Sequence, residues 1–102
     1  MFKLQPNPTF VAPVAIPVPG AAAQEINVTF AHKGKSEIKA YLDLATTRED
    51  IDSLSEIVLG WDGVDADFTR DNLAVLLDAY PGAAMALLTS WVNELGKAVA
   101  KN

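Results

Sequence analysis

The chain contains no cysteine. That excludes a disulfide, a thiolate zinc site and a cysteine nucleophile. Histidine occurs once, as His32. A general base needs an orienting partner and a nucleophile beside it, and the neighbours Ala31 and Lys33 supply neither. With one histidine and no thiol, zinc would have to be held mostly by carboxylates, an uncommon arrangement. Positive charge is also scarce: 8 Lys and Arg stand against 13 Asp and Glu, a net charge of −5. Binding to nucleic acid needs clustered cations. The basic groupings here, His32-Lys33-Gly34-Lys35 and the terminal Lys97 and Lys101, read as solvated surface. No G-x-x-x-x-G-K-[ST] or G-x-G-x-x-G occurs to cradle a phosphate.

Long apolar runs are missing too. None reaches the roughly 20 residues that cross a bilayer, and the run from Val11 to Pro19 is broken by Pro13, Pro17 and Pro19. The opening Met1-Phe2-Lys3-Leu4-Gln5-Pro6 lacks the basic region and apolar core of a signal peptide. The expectation is a protein that is not an enzyme, holds no metal or cofactor, and has neither nucleic acid nor membrane as a partner.

What is present is enough for one folded domain over 1–102. Of the residues, 50% are hydrophobic and 21% charged, a globular rather than a disordered balance. A chain of this length buries roughly 60–65% of the surface its unfolded form exposes. The chain divides into a hairpin region, 1–34, and a helical region, 35–102. In the first, Val14, Ile16 and Val18 alternate with Pro13, Ala15, Pro17 and Pro19, a period of two. Proline cannot donate to a ladder, so this strand belongs at a sheet edge. After Gly20-Ala21-Ala22-Ala23, the segment Ile26-Asn27-Val28-Thr29-Phe30 alternates again and completes an antiparallel hairpin. A lone hairpin is marginal in water, so its apolar face is expected to rest on helices.

The helical region predicts about four short helices. Ser36 is placed to cap the first, with Ile38, Tyr41, Leu42 and Ala45 inward. Thr47-Arg48-Glu49-Asp50 resembles a capping box for the second, with Ile51, Leu54, Ile57, Val58 and Trp61 on its inner side. The third starts at Thr69 or Asp67 and carries Leu73, Leu76, Leu77 and Tyr80 at helical spacing. Pro81 disfavours helical geometry at Tyr80 and suits the first turn of the last helix. That helix carries Ala84, Leu87, Leu88, Trp91, Val92, Leu95 and Val99 on one broad stripe. The fold class is α+β, an N-terminal β-hairpin followed by about four short helices, mostly helical. Its predicted core is Ile16, Val28, Phe30, Leu42, Leu54, Val58, Leu73, Leu77, Leu88 and Trp91.

The acidic stretch Asp62, Asp65, Asp67 fails as a calcium loop. From Asp62, positions 3 and 5 are Val64 and Ala66; from Asp65, positions 6 and 12 are Arg70 and Leu76. It reads as a turn that leaves negative charge near a helix start, where the dipole favours it. Trp61 and Trp91 are each suited to a core or to an interface.

Several motifs together carry a family resemblance. They are Phe2-Lys3-Leu4-Gln5-Pro6-Asn7-Pro8-Thr9-Phe10, Ile16-Pro17-Val18-Pro19-Gly20, Gly60-Trp61-Asp62-Gly63-Val64, Phe68-Thr69, Asn72-Leu73, Leu76-Leu77-Asp78, Tyr80-Pro81-Gly82-Ala83 and Lys101-Asn102. In this order they resemble phage tail assembly chaperones of long-tailed phages and prophages. The match covers both ends and the back half; the stretch from about Tyr41 to Ser55 carries none of the motifs. The resemblance implies a non-enzymatic protein of the bacterial host cytoplasm. It would bind the tape measure protein, assist tail tube assembly through tube subunits, and leave before the virion is finished. The alternative is a small structural tail or virion component retained in the particle.

The resemblance points to Trp61, Val64, Phe68 and Tyr80, whose first role would be structural. Self-association is expected through helices, because the prolines blunt the strand edge. The expected partner-binding residues are Trp61, Val64, Phe68, Leu95 and Val99, on the helical side of a homo-oligomer.

Overall fold

The structure, a computed structural model, describes residues 1–100, with side chains for residues 1–96. The first ordered unit is an antiparallel hairpin of β1 (Thr9–Ile16) and β2 (Gln24–Ala31), paired from Thr9↔Ala31 to Ile16↔Gln24. At its turn the Ala21 N–H donates to the Val18 carbonyl at 3.0 Å, with Pro19 and Gly20 between them. Gly20 has φ +78°. A type II turn requires that sign at its third position and favours proline at its second. Beyond the strand starts, the His32 N–H donates to the Pro8 carbonyl at 2.9 Å. Hydrogen-bonded pairs alternate along an antiparallel ladder, so Pro13, five residues on, has its nitrogen turned away from β2. That is the position where a strand tolerates proline. Pro17 and Pro19, expected in the strand, lie past its end.

Helix α1 (Lys35–Ala45) follows. Ser36 is not its cap. Gly34 occupies the cap position, and Glu37 reaches back so that its Oε1 accepts the Gly34 N–H at 3.0 Å. The box expected at Thr47 is absent as well. Thr46 and Thr47 donate their hydroxyls to the carbonyls of Asp43 and Leu44. They therefore close α1 instead of opening α2 (Asp50–Ile57), whose cap position is Glu49.

The second helix stops sooner than expected. Val58–Asp62 forms a third strand, β3, paired antiparallel to β2 in a sheet ordered β1-β2-β3. Val28 faces Trp61, Thr29 faces Gly60 and Phe30 faces Val58, so Leu59 is an extra residue in the register. Such a bulge keeps Val58 and Trp61 on one face although they are three apart. A spacing of three is also the helical repeat, which explains why the sequence reads as helix there. The β-branched side chain of Val58 and the aromatic ring of Trp61 favour the strand.

Helix α3 (Arg70–Ala79) is capped by Thr69, whose Oγ1 accepts the Asn72 N–H at 3.0 Å. It ends at an extended Tyr80 (ψ 97°), as the following proline dictates. Helix α4 (Ala83–Ala100) starts after Pro81 and Gly82 rather than on Pro81. The Ala83 N–H donates to the Tyr80 carbonyl, and α3 and α4 meet at a bend of 112°. Among the described residues, no single helix is long and apolar enough to cross a membrane.

The helices cover one face of the sheet. Ala12, Val14 and Ile16 of β1, with Ile26, Val28 and Phe30 of β2, point into a core completed by Tyr41, Leu54, Ile57, Val58, Leu73, Ala83, Leu87 and Trp91. Burying apolar side chains of this size stabilises by about 1.5–3 kcal/mol each before the entropy cost of ordering them. Seven of the expected core residues are buried. Leu42, Leu77 and Leu88 are instead half-buried at its margin. The opposite sheet face, including Val11, Pro13, Ala15, Asn27 and Asp62, is open to solvent.

Candidate functional site

The residues with chemical potential do not converge. Among the described residues, no three His, Asp or Glu side chains stand close enough together to hold a metal ion. His32 is half-buried just past the end of β2. Asp62, Asp65 and Asp67 are all exposed, and Asp62 Oδ1 accepts the N–H of Gly63.

The densest polar cluster serves the fold. Glu56 on α2 pairs with Lys33 at 2.9 Å and with Arg48 at 3.2 Å. The Lys33 hydrogen bond, helped by Arg48, holds its carboxyl below the usual carboxylate range. Both cations also lie over the Tyr41 ring, at 5.9 and 5.6 Å. The Tyr41 hydroxyl donates to the Ser53 carbonyl at 2.7 Å. Burial, with the nearby Glu56 charge, pushes Tyr41 up to about 12. This clasp joins the start of α1, the α1–α2 loop and α2.

A second constellation fixes the corner between β3 and α3. Trp61 and Phe68 meet edge to face, with ring centroids 5.1 Å apart. Trp61 Nε1 donates to the Ala66 carbonyl at 2.8 Å, and Asn72 Nδ2 donates to the Asp67 carbonyl at 2.7 Å. The residues singled out in sequence fall into two pairs here. Trp61 and Phe68 stack, while Val64 and Tyr80 line a cleft of about 320 Å³ with Ile16, Val18, Gln24, Ile26, Gly63, Asp65 and Leu76. The cleft lies at the turn end of the hairpin.

Helix α4 carries a different surface. Ala83, Leu87 and Trp91, spaced by four, lie against the sheet and are buried. Met85, Leu88, Val92 and Leu95 form a flanking row at helical spacing. Met85 is 67% exposed and Val92 37%, while Leu88 and Leu95 are half-buried. Beside this row, a groove of about 260 Å³ runs between α1, α2 and α4, lined by Tyr41, Ala45, Asp50, Ser53, Leu54, Pro81, Ala84, Met85 and Leu88. The Ser53 hydroxyl is buried there without a hydrogen-bond partner. Leu95 sits further along α4, lining a third depression with Pro6, Phe10 and His32. It does not join the Trp61 corner. The side chain of Val99 lies outside the described residues.

Met85 and the groove beside it escaped the sequence reading. The only sequence signal was the width of the α4 stripe. The cleft at the hairpin turn gave no signal, because its walls come from β1, β2, the 62–65 turn and α3.

The described residues form a small α+β module whose helices cover one face of a three-stranded sheet. The family model described as phage tail assembly chaperone matches residues 1–102, the whole chain. The chain belongs to that family. No curated protein and no solved structure matches it. The family's role is that of a chaperone, which acts by binding, with phage tail proteins as its partners.

Proposed function

We propose that this chaperone works in the bacterial host cytoplasm as a homo-oligomer, binds the tape measure protein, and keeps it soluble while tail tube subunits are recruited. The observation that supports this most directly is the second apolar row on α4. Leu87 and Trp91 already satisfy the sheet and Leu88 packs at the core margin, while Met85 and Val92 remain exposed beside it. Apolar residues at helical spacing beside a groove are what helix-in-groove recognition uses. Leu95 and Val99 extend the row along α4 in sequence. The net charge of −5 favours solubility of a complex with an apolar helix. Trp61, Val64 and Phe68 make a second apolar surface at the β3–α3 corner.

Co-expression with the tape measure protein tests the proposal. The wild-type chain should co-purify with it and should be missing from purified phage particles by mass spectrometry. Met85→Asp and Val92→Asp, both at exposed positions, should keep the wild-type circular dichroism and lose the tape measure protein. Folded variants that still capture it would move the contact off α4. A chain present in finished particles would make it a structural component instead.

A further inference from the structure

Residues 1–8 precede β1 as an arm without regular structure apart from bends. Phe2 is 90% exposed and Leu4 87% exposed, the highest values after Met1 of any large apolar side chain among the described residues. The depression nearest the arm is lined by Pro6, Asn7 and Phe10, and takes in neither Phe2 nor Leu4. Two uncovered apolar groups on one short segment call for a receiving surface.

The cleft at the hairpin turn has the matching character. Its walls include Ile16, Val18, Ile26, Val64 and Leu76, with Asp65 among them. At about 320 Å³ it is at the small end of ligand-sized pockets, room for side chains rather than for a helix. Charge matches as well. Lys3 is the only charged residue before Glu25. The stretch 62–78 carries five aspartates, and its sole cation, Arg70, is bonded to Asp52.

The arm and the cleft lie at opposite ends of β1, since the arm leads into Thr9 while the cleft begins at Ile16. Seven steps of strand separate those ends by about 23 Å. The seven steps from Phe2 to Thr9 span at most about 25 Å when fully extended. In an arm doubling back, Phe2 would only just reach the start of its own cleft and Leu4, two residues nearer the strand, would fall short of it.

We propose that the arm of one copy docks in the cleft of a second copy, with Phe2 and Leu4 against the apolar walls and Lys3 facing Asp65. Donor and acceptor are different patches, so two copies can exchange arms about a two-fold axis, or copies can join head to tail in a ring or helical array. This deepens the homo-oligomer part of the reading above and does not depend on the tape measure protein. It leaves the exposed row of α4 free for that partner.

Light scattering after size exclusion of the full chain, alone, provides the test. The wild type should be an oligomer, and Phe2→Ser with Leu4→Ser should run as a monomer with unchanged circular dichroism. Lys3→Glu and Asp65→Lys should each weaken assembly, and the two together in one chain should restore it. An equimolar mixture of the arm variant with Asp65→Lys should form no assembly larger than a pair, since an intact arm then meets an intact cleft at one junction only. A synthetic peptide of residues 1–8 should compete with wild-type assembly. A monomeric wild type would overturn both this contact and the homo-oligomer reading. An oligomer whose mass is unaffected by the arm and charge variants would overturn the arm contact alone. Loss of assembly without rescue by the charge exchange or competition by the peptide would mean that the arm acts within its own chain, and would overturn it too.

Discussion

Trp91 donates its indole N–H to the carbonyl of Ala31 at 2.8 Å, which ties the middle of α4 to the end of β2 across 60 positions of sequence. The same ring meets Tyr41 edge to face at 5.1 Å and is fully buried. One side chain thus joins the last helix, the central strand and the first helix. Trp91→Phe keeps most of the ring but leaves the Ala31 carbonyl without its donor, a loss of about 1–3 kcal/mol. Trp91→Ala adds a cavity and should cost about 3–5 kcal/mol. Urea denaturation of both variants checks the order.

The corner between α3 and α4 depends on Gly82 more than on Pro81. A Cβ on Gly82 would lie 2.9 Å from Pro17 Cγ and 3.2 Å from its Cβ. A proline ring cannot swing aside as a flexible side chain would, so the hairpin or α4 must shift. Gly82→Ala should cost about 1–3 kcal/mol, as overpacking does. Pro81 is exposed, and Pro81→Ala should cost under about 1 kcal/mol, mainly by freeing the unfolded chain. Equal melting temperatures for the two variants would refute the steric account.

How far the fold was legible follows from the range of the interactions involved. Thr69, Tyr80-Pro81 and the alternation of the hairpin are local signals, and each produced the element expected of it. The third strand was not legible. The bulge at Leu59 gives Val58 and Trp61 a spacing that a helix shares, and only pairing with Val28 and Phe30 decides between them. The α1 cap was missed because Glu37 makes it from inside the helix. Of the candidate surfaces, the α4 stripe showed as excess width. The cleft did not, because its lining residues run from Ile16 to Tyr80 and meet only in the folded chain.

Tyr41 makes stability depend on alkaline pH. Its folded value, about 12, lies above the ordinary value of 10. A raised value means that the neutral hydroxyl is favoured by folding, so its contribution is complete below pH 10 and is lost as pH rises toward 12. Tyr41→Phe also loses the bond to the Ser53 carbonyl, a cost of about 1 kcal/mol near neutral pH. The stability gap between wild type and Tyr41→Phe should narrow and then reverse sign or vanish across that window. Lysine titration, common to both proteins, cancels in the difference. A gap that stays constant from neutral pH to pH 12 would show that the hydroxyl is not held neutral by the fold.

The turn from Gly63 to Thr69 has no regular structure, yet it forms one wall of the cleft through Val64 and Asp65. Its shape comes from side chains: Trp61 holds the Ala66 carbonyl, Asn72 holds the Asp67 carbonyl, and Thr69 receives the Asn72 N–H. Thr69→Ala removes a helix cap, at about 1 kcal/mol. Asn72→Ala removes the bond to Asp67 but keeps the backbone donor that Thr69 uses. Because both bonds meet at Asn72 and brace the same turn, the double variant should depart from additivity by more than about 0.5 kcal/mol, as coupled neighbours do. Urea denaturation of the four-protein cycle measures that departure. The cleft wall should loosen with it, so the double variant should assemble less well than wild type although no residue of the cleft or the arm has changed. Strict additivity together with undiminished assembly would show that the turn keeps its shape without these bonds.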